Sequence, residues 1–166
     1  ATVVFGLLKM GEAVATDALT YTGFKTVAAL HGLSLTAVGS SDGMMDPDDL
    51  DRLCRNGKIR AVYLMPTVHN PLGTVMSEER RRQIVAVARK YDLIIIEDAA
   101  YAFLEPCPPT SLLEIAPERT FHVGGFSKSI GTGLRLGYVI APKDRSDVLS
   151  LVIRATTWNV PAIISA

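Results

Sequence analysis

A chain of 166 residues, 48% hydrophobic and 20% charged, is long enough to bury the core of one globular domain. Its 17 Lys and Arg offset 17 Asp and Glu, which argues against a basic nucleic-acid face on this segment, and no apolar run approaches the roughly 18 residues a membrane span needs. Cys54 and Cys107 lie far apart without metal-ligand spacing, so a reduced, cytoplasmic protein without a disulfide is expected.

The chain opens in mid-pattern. "TVVFGLLK" reads as the end of a helix stopped at Gly11, and "AVATD" (13–17) as a short strand. "TGFKTVAALHG" has helical spacing through Phe24, Val27, Ala28 and Leu30, with Gly32 as its stop. "LSLTAVG" alternates as a strand. "DPDDLDRLCRNG" starts a helix, with Asp46 as N-cap, Pro47 in the first turn and further acids at the positive end of the helix dipole. "IRAVYLMP" is a strand closed by Pro66. "SEERRRQIVAVARKYD" is the clearest helix, capped by Ser77 and lined on one side by Ile84, Val87 and Ala88. "LIIIED" is apolar on both faces until its two acids, the mark of a strand inside a helix-covered parallel sheet. "TFHVGG" and "LGYVIAP" add two strands. This alternation predicts a layered α/β domain with a mostly parallel sheet. No repeat, low-complexity linker or second-domain boundary interrupts it. The ends, which stop in "WNVPAIISA" without a closing helix, suggest a piece of a longer protein.

Ligands of open α/β sheets bind beyond the carboxyl ends of the strands. Tyr21, His69, Asn70, Asp98, Tyr101, Ser127 and Lys128 all follow strands, and Arg135 lies a short loop beyond the lysine. Each has an ordinary structural reading. Tyr21 suits a turn, Asn70 before Pro71 is a good turn residue, and Asp98 could cap the next segment. Tyr101 could simply pack, Ser127 could serve a turn, and Arg135 could pair with a surface acid. His69 has no partner at metal spacing and reads as a local hydrogen-bonding residue. What carries weight is their collection at one edge. There is no nucleophile elbow G-x-S-x-G, and "GGFSKSIG" has the wrong spacing for a phosphate-binding P-loop. "GTGLRLG" precedes a strand instead of opening a helix, which argues against a dinucleotide fingerprint. A lysine, a carboxylate, an amide, phenols, a hydroxyl and a guanidinium instead match what pyridoxal phosphate (PLP) requires: a Schiff-base amine, an acid for its ring nitrogen, donors to its phenolic oxygen, an aromatic cover and phosphate ligands.

Three stretches, "PTVHNPLGTVMS", "IIIEDAAYAFL" and "GGFSKSIGTGLRLGY", resemble in order and spacing the motifs of fold-type I PLP enzymes of the class I aminotransferase group. Within that group, "TYTG", "LMPTVHNPLGTVMS" and "IAPERT" resemble most the aminotransferase-type domain of MocR regulators, GntR-family proteins that join a winged helix-turn-helix to this fold. The resemblance implies a three-layer α/β/α large domain, with residues 1–166 as its central part and an N-terminal segment and a C-terminal small domain lying outside it. It implies that Lys128 forms the Schiff base, Asp98 pairs with the pyridine nitrogen, Asn70 and Tyr101 hydrogen-bond the phenolic oxygen, Tyr21 stacks on the ring, and Ser127 and Arg135 bind phosphate. It further implies a homodimer, an amino acid or amine as substrate or effector, and DNA contact only through an N-terminal domain. This chain departs from the pattern at Gly125, where a Ser or Thr often contacts phosphate, and at Leu19-Thr20-Tyr21-Thr22-Gly23, where the family has a proline-rich turn. The helix N-terminus that cradles phosphate and the arginine that clamps a substrate carboxylate fall outside these residues, so the segment alone is expected to be inactive as a transaminase. Three functions remain open: effector sensor of a regulator, free-standing aminotransferase, or PLP-free dimer scaffold.

Overall fold

The computed structural model describes residues 1–40 and 42–158. The reading of "WNVPAIISA" therefore falls, from Asn159 onward, outside the described residues. Six strands form one sheet: β1 (Ala13–Asp17), β2 (Ser34–Val38), β3 (Ile59–Leu64), β4 (Ile94–Asp98), β5 (Thr120–Gly125) and β6 (Gly137–Ile140). Their spatial order is β2-β1-β3-β4-β5-β6; the first five are mutually parallel, and β6 returns antiparallel to β5. All six coincide with the apolar runs of the sequence.

Helices cover both faces, giving three layers. Helices α1 (Thr2–Leu7), α2 (Thr22–Leu30) and α6 (Ser146–Thr156) pack Val3, Val4, Phe24, Ala28 and Leu149 against Val14, Ala61, Tyr63, Ile96 and Phe121. Helices α3 (Pro47–Cys54), α4 (Glu78–Lys90) and α5 (Leu112–Ile115) pack Leu50, Cys54, Ile84, Val85, Ala88 and Leu112 against Ala15, Val62, Leu64 and Ile95. Adjacent strand residues thus serve opposite cores, which is why β4 can be isoleucine on both sides. Burying each such side chain contributes about 1.5–3 kcal/mol.

The expected caps are present: Asp46 accepts from the Asp48 N–H at 2.9 Å and Ser77 from the Arg80 N–H at 3.3 Å. Three details differ from the sequence reading. Helix α1 ends at Leu7, because Leu8 turns extended, and Gly11 (φ +87°) makes a turn whose N–H reaches the Gly32 carbonyl at 2.8 Å. Leu30 points outward at 79% exposure, since the nine-residue α2 seats only Phe24 and Ala28 fully on the sheet. Helix α5 has too few residues to show a period. Its start is fixed by Ser111, whose Oγ accepts from Glu114, and by the Glu97 carboxylate, which accepts from the Leu112 and Leu113 N–H groups at 3.1 Å each.

Candidate functional site

Strand alternation decides which of the two acids ending β4 serves the site. Tyr63 pairs with Ile96 across β3 and β4, so Asp98, two residues on, shares the face of Tyr63. There the Tyr63 hydroxyl donates to Asp98 Oδ2 at 2.7 Å, and the Ala100 N–H donates to Oδ1 at 3.0 Å. The Tyr63 ring is stacked on Phe24, centroids 3.7 Å apart and planes 4° from parallel. Burial, with the Asp98 carboxylate beside it, pushes the Tyr63 phenol well above its usual range, so the hydroxyl remains a donor. Glu97 faces the opposite core, 2% exposed, where it accepts from His122 Nδ1 at 2.9 Å as well as from the start of α5. A hollow of about 440 Å³ opens beside Glu97 and His122, but these two groups already pair with each other.

On the Asp98 side a cleft of about 410 Å³ opens at the carboxyl edge of the sheet. Its walls include Tyr21, Phe24, Tyr63, Asp98, Arg135 and Tyr138. Three residues expected from the sequence, Tyr21, Asp98 and Arg135, are thus brought together. Tyr21 is half exposed and its ring lies over Gly23, where a Cβ would collide with it. Arg135 closes a tight turn in the left-handed region (φ +51°). Asn70, Tyr101, Ser127 and Lys128 do not line this cleft. Lys128 is exposed, and its Nζ lies 5.9 Å from the centroid of the Tyr101 ring, so the exits of β4 and β5 meet there. Asn70 is partly buried and joined to Pro71 by a cis peptide bond.

The glycines before Lys128 have a cause within the chain itself. A Cβ at Gly124 would run into the Tyr138 ring from β6, and one at Gly125 would stand 3.2 Å from the Leu136 carbonyl oxygen. Close approach of β5 and β6 thus leaves little room at both glycines, against the outer end of the Tyr138 side chain at Gly124 and against backbone at Gly125. Sequence reasoning missed Tyr63 and Tyr138. A phenol in the otherwise aliphatic run "AVYLM" was the available signal for the first.

The floor of the cleft suits a flat, cationic heteroaromatic ring. A carboxylate held by two donors faces into aromatic walls, and a guanidinium stands at the same cleft.

Comparison with known proteins bears on the family and the fold. The family model "Aminotransferase class I and II" matches residues 1–166. A Bacillus subtilis protein named as an uncharacterized HTH-type transcriptional regulator, YdeF, is 37% identical over 150 residues, 90% of this chain and 32% of its own length. An uncharacterized aminotransferase of Saccharolobus solfataricus is 32% identical over 166 residues, 95% of this chain and 41% of its own length. The crystal structure of an archaeal alanine:glyoxylate aminotransferase superposes with a TM-score of 0.91 at 29% identity, covering 98% of this chain and 42% of that one. The chain thus spans between a third and about two fifths of the length of these relatives. With the three-layer fold, the carboxylate at the end of β4 and a family match along its full length, the chain belongs to the class I and II aminotransferases.

Proposed function

We propose that this chain is the PLP-binding core of an effector-sensing domain, in a regulator that joins it to a DNA-binding module. The observation that carries the reading is the Asp98 carboxylate, held by Tyr63 and Ala100 at the floor of an aromatic cleft. When bound, PLP supplies an electrophilic aldehyde and a ring that accepts electrons. The chain's residues would hold it. Asp98 keeps the ring nitrogen protonated through an ionic hydrogen bond, and Tyr63 keeps that carboxylate oriented. Asn70 and Tyr101 donate to the phenolic oxygen, Tyr21 covers the ring, and Ser127 and Arg135 bind phosphate, the arginine by its bidentate fork. Lys128 provides the amine that anchors the aldehyde, and an amino acid or amine would compete for that anchor. The regulator reading is favoured by 37% identity to an HTH-type relative, and by two further HTH-type relatives of Bacillus subtilis at 34% and 32%. The second reading, a free-standing aminotransferase acting on an amino acid and a 2-oxo acid, is favoured by the relatives that carry that name. A homodimer fits both.

Reductive trapping tests the common part. The full-length protein is mixed with PLP, reduced with borohydride and digested, and the labelled peptide is identified by mass spectrometry. A phosphopyridoxyl group on Lys128, absent from Lys128→Ala, is expected. Labelling scattered over surface lysines, or none on folded protein, would overturn the cofactor reading and leave the scaffold function. Amine-dependent change in DNA affinity of the full-length protein, without net turnover of amino acid and 2-oxo acid, separates regulator from enzyme.

A further inference from the structure

Behind the site lies a pair of ionisable side chains that no proposed contact to the cofactor uses. Asp17 ends β1 at 3% exposure, and His69 lies in the loop after β3 at 2%. Their closest atoms, Asp17 Oδ2 and His69 Nε2, are 3.4 Å apart. Among the described residues, neither Asp17 oxygen nor His69 Nε2 has a hydrogen-bond partner. The Leu72 N–H approaches His69 Nδ1 at 3.4 Å, so Nδ1 accepts and the ring proton belongs on Nε2, facing the carboxylate. His69 is also the pivot of its loop through the backbone. Its N–H donates to the Thr74 carbonyl at 2.8 Å, and its carbonyl accepts from Gly73 at 2.6 Å. Asn70 is the next residue.

A buried carboxylate without donors is costly, and an apolar pair of the same volume is often at least as stable as a buried ionic one. Retaining such a pair makes physical sense where a direction must be fixed. Here the imidazole faces Asp17 on one side and the Leu72 N–H of its own loop on the other. Rotation of the turn 69–74 would therefore carry His69 away from the Asp17 carboxylate.

We infer that the buried Asp17–His69 pair is a positioning device that sets the orientation of Asn70 toward the phenolic oxygen of the cofactor. The inference rests on the PLP reading above. Asp17 also stands near enough to Tyr63 to favour its protonated, donating form, so one carboxylate supports the groups proposed for both ends of the ring.

The test compares Asn70→Ala, His69→Phe, His69→Gln and the double variant Asp17→Leu/His69→Phe in the full chain. PLP affinity, the visible spectrum of the bound cofactor and the thermal midpoint without cofactor are read for each. His69→Phe should weaken PLP binding about tenfold, the loss of one hydrogen bond to a charged acceptor, and shift the spectrum in the same direction as Asn70→Ala. Glutamine keeps one donor and one acceptor, so His69→Gln should restore both. The double variant removes the unpaired carboxylate; its thermal midpoint should recover while its spectrum stays shifted. In the cofactor-free wild type, 15N NMR should show the His69 ring protonated on Nε2 alone. A spectrum that recovers together with stability, or one that His69→Phe leaves unchanged while Asn70→Ala shifts it, overturns the inference and leaves the pair a purely structural role. A wild type that binds no PLP at all overturns the cofactor reading on which the inference depends, and the inference with it. If His69→Phe does not fold, the double variant and His69→Gln still decide.

Discussion

Arg81 offers a stringent test of how the loop after β3 is held. It is fully buried, and its guanidinium donates to four acceptors: the Met76 carbonyl at 3.0 Å, the Pro66 carbonyl at 2.9 Å, Thr67 Oγ1 at 2.8 Å and the Thr110 carbonyl at 3.3 Å. Glu97 lies 3.9 Å away. In Arg81→Met the losses are unequal. The Pro66 carbonyl still accepts from the Met76 N–H at 2.8 Å, and Glu97 keeps three other donors. The Met76 and Thr110 carbonyls and the Thr67 hydroxyl lose the donor they have here, the carbonyls at about 1–3 kcal/mol for each one left dry. Removing a buried charge relieves its desolvation, which offsets part of that. The net expectation is a loss of about 3 kcal/mol, or about 6–12 °C in thermal midpoint for a chain of this size. Arg81→Lys keeps the charge, but a compact ammonium cannot span four acceptors, so it should recover less than half. Urea unfolding followed by circular dichroism measures both. A loss below about 1 kcal/mol for Arg81→Met would refute the reasoning, because it would mean that water replaces the guanidinium at no cost.

Tyr63→Phe deletes only the hydroxyl that donates to Asp98 and leaves the stack on Phe24. A double-mutant cycle with Asp98→Asn should show about 1–2 kcal/mol of coupling, and a value under about 0.5 would place the two groups out of contact. The Arg89 side chain, donating to Glu118, holds the Glu118 carboxyl at about 2, against 4.5 when unperturbed. A lowered folded value means stability that is present above about pH 4.5 and lost as pH falls toward about 2. Both partners are nearly half exposed, so Glu118→Gln should cost under about 1 kcal/mol at neutral pH, and the gap from wild type should close in acid; a gap independent of pH contradicts the pair. Burial pushes the Cys54 thiol up to about 11, whereas Cys107 is exposed. A thiol reagent at neutral pH should therefore label Cys107 in the folded chain and reach Cys54 only on unfolding, as peptide mapping would show.

The sequence alone determined the order and type of the main elements. Local physics suffices there: β4 is a run of isoleucines, Asp46 and Ser77 are caps whose donors lie two or three residues away, and α4 repeats its apolar positions at helical spacing. It also placed Tyr21, Asn70, Asp98, Tyr101, Ser127, Lys128 and Arg135 after strands, because parallel strands send all their exits to one edge. Tertiary structure decided what composition cannot encode. Three consecutive arginines read alike, yet Arg80 pairs with Asp42, Arg82 with Glu78, and Arg81 alone turns inward among carbonyls from distant segments. Glu97 and Asp98 read as one acidic pair until strand alternation sends them to opposite cores, one to cap α5 and one to the cleft. Gly124 lies against Tyr138, a strand away, and His69 faces Asp17, more than fifty residues earlier. Apart from the Arg82–Glu78 pair within α4, the deciding contacts join groups far apart in sequence, and only the packed sheet brings them within reach.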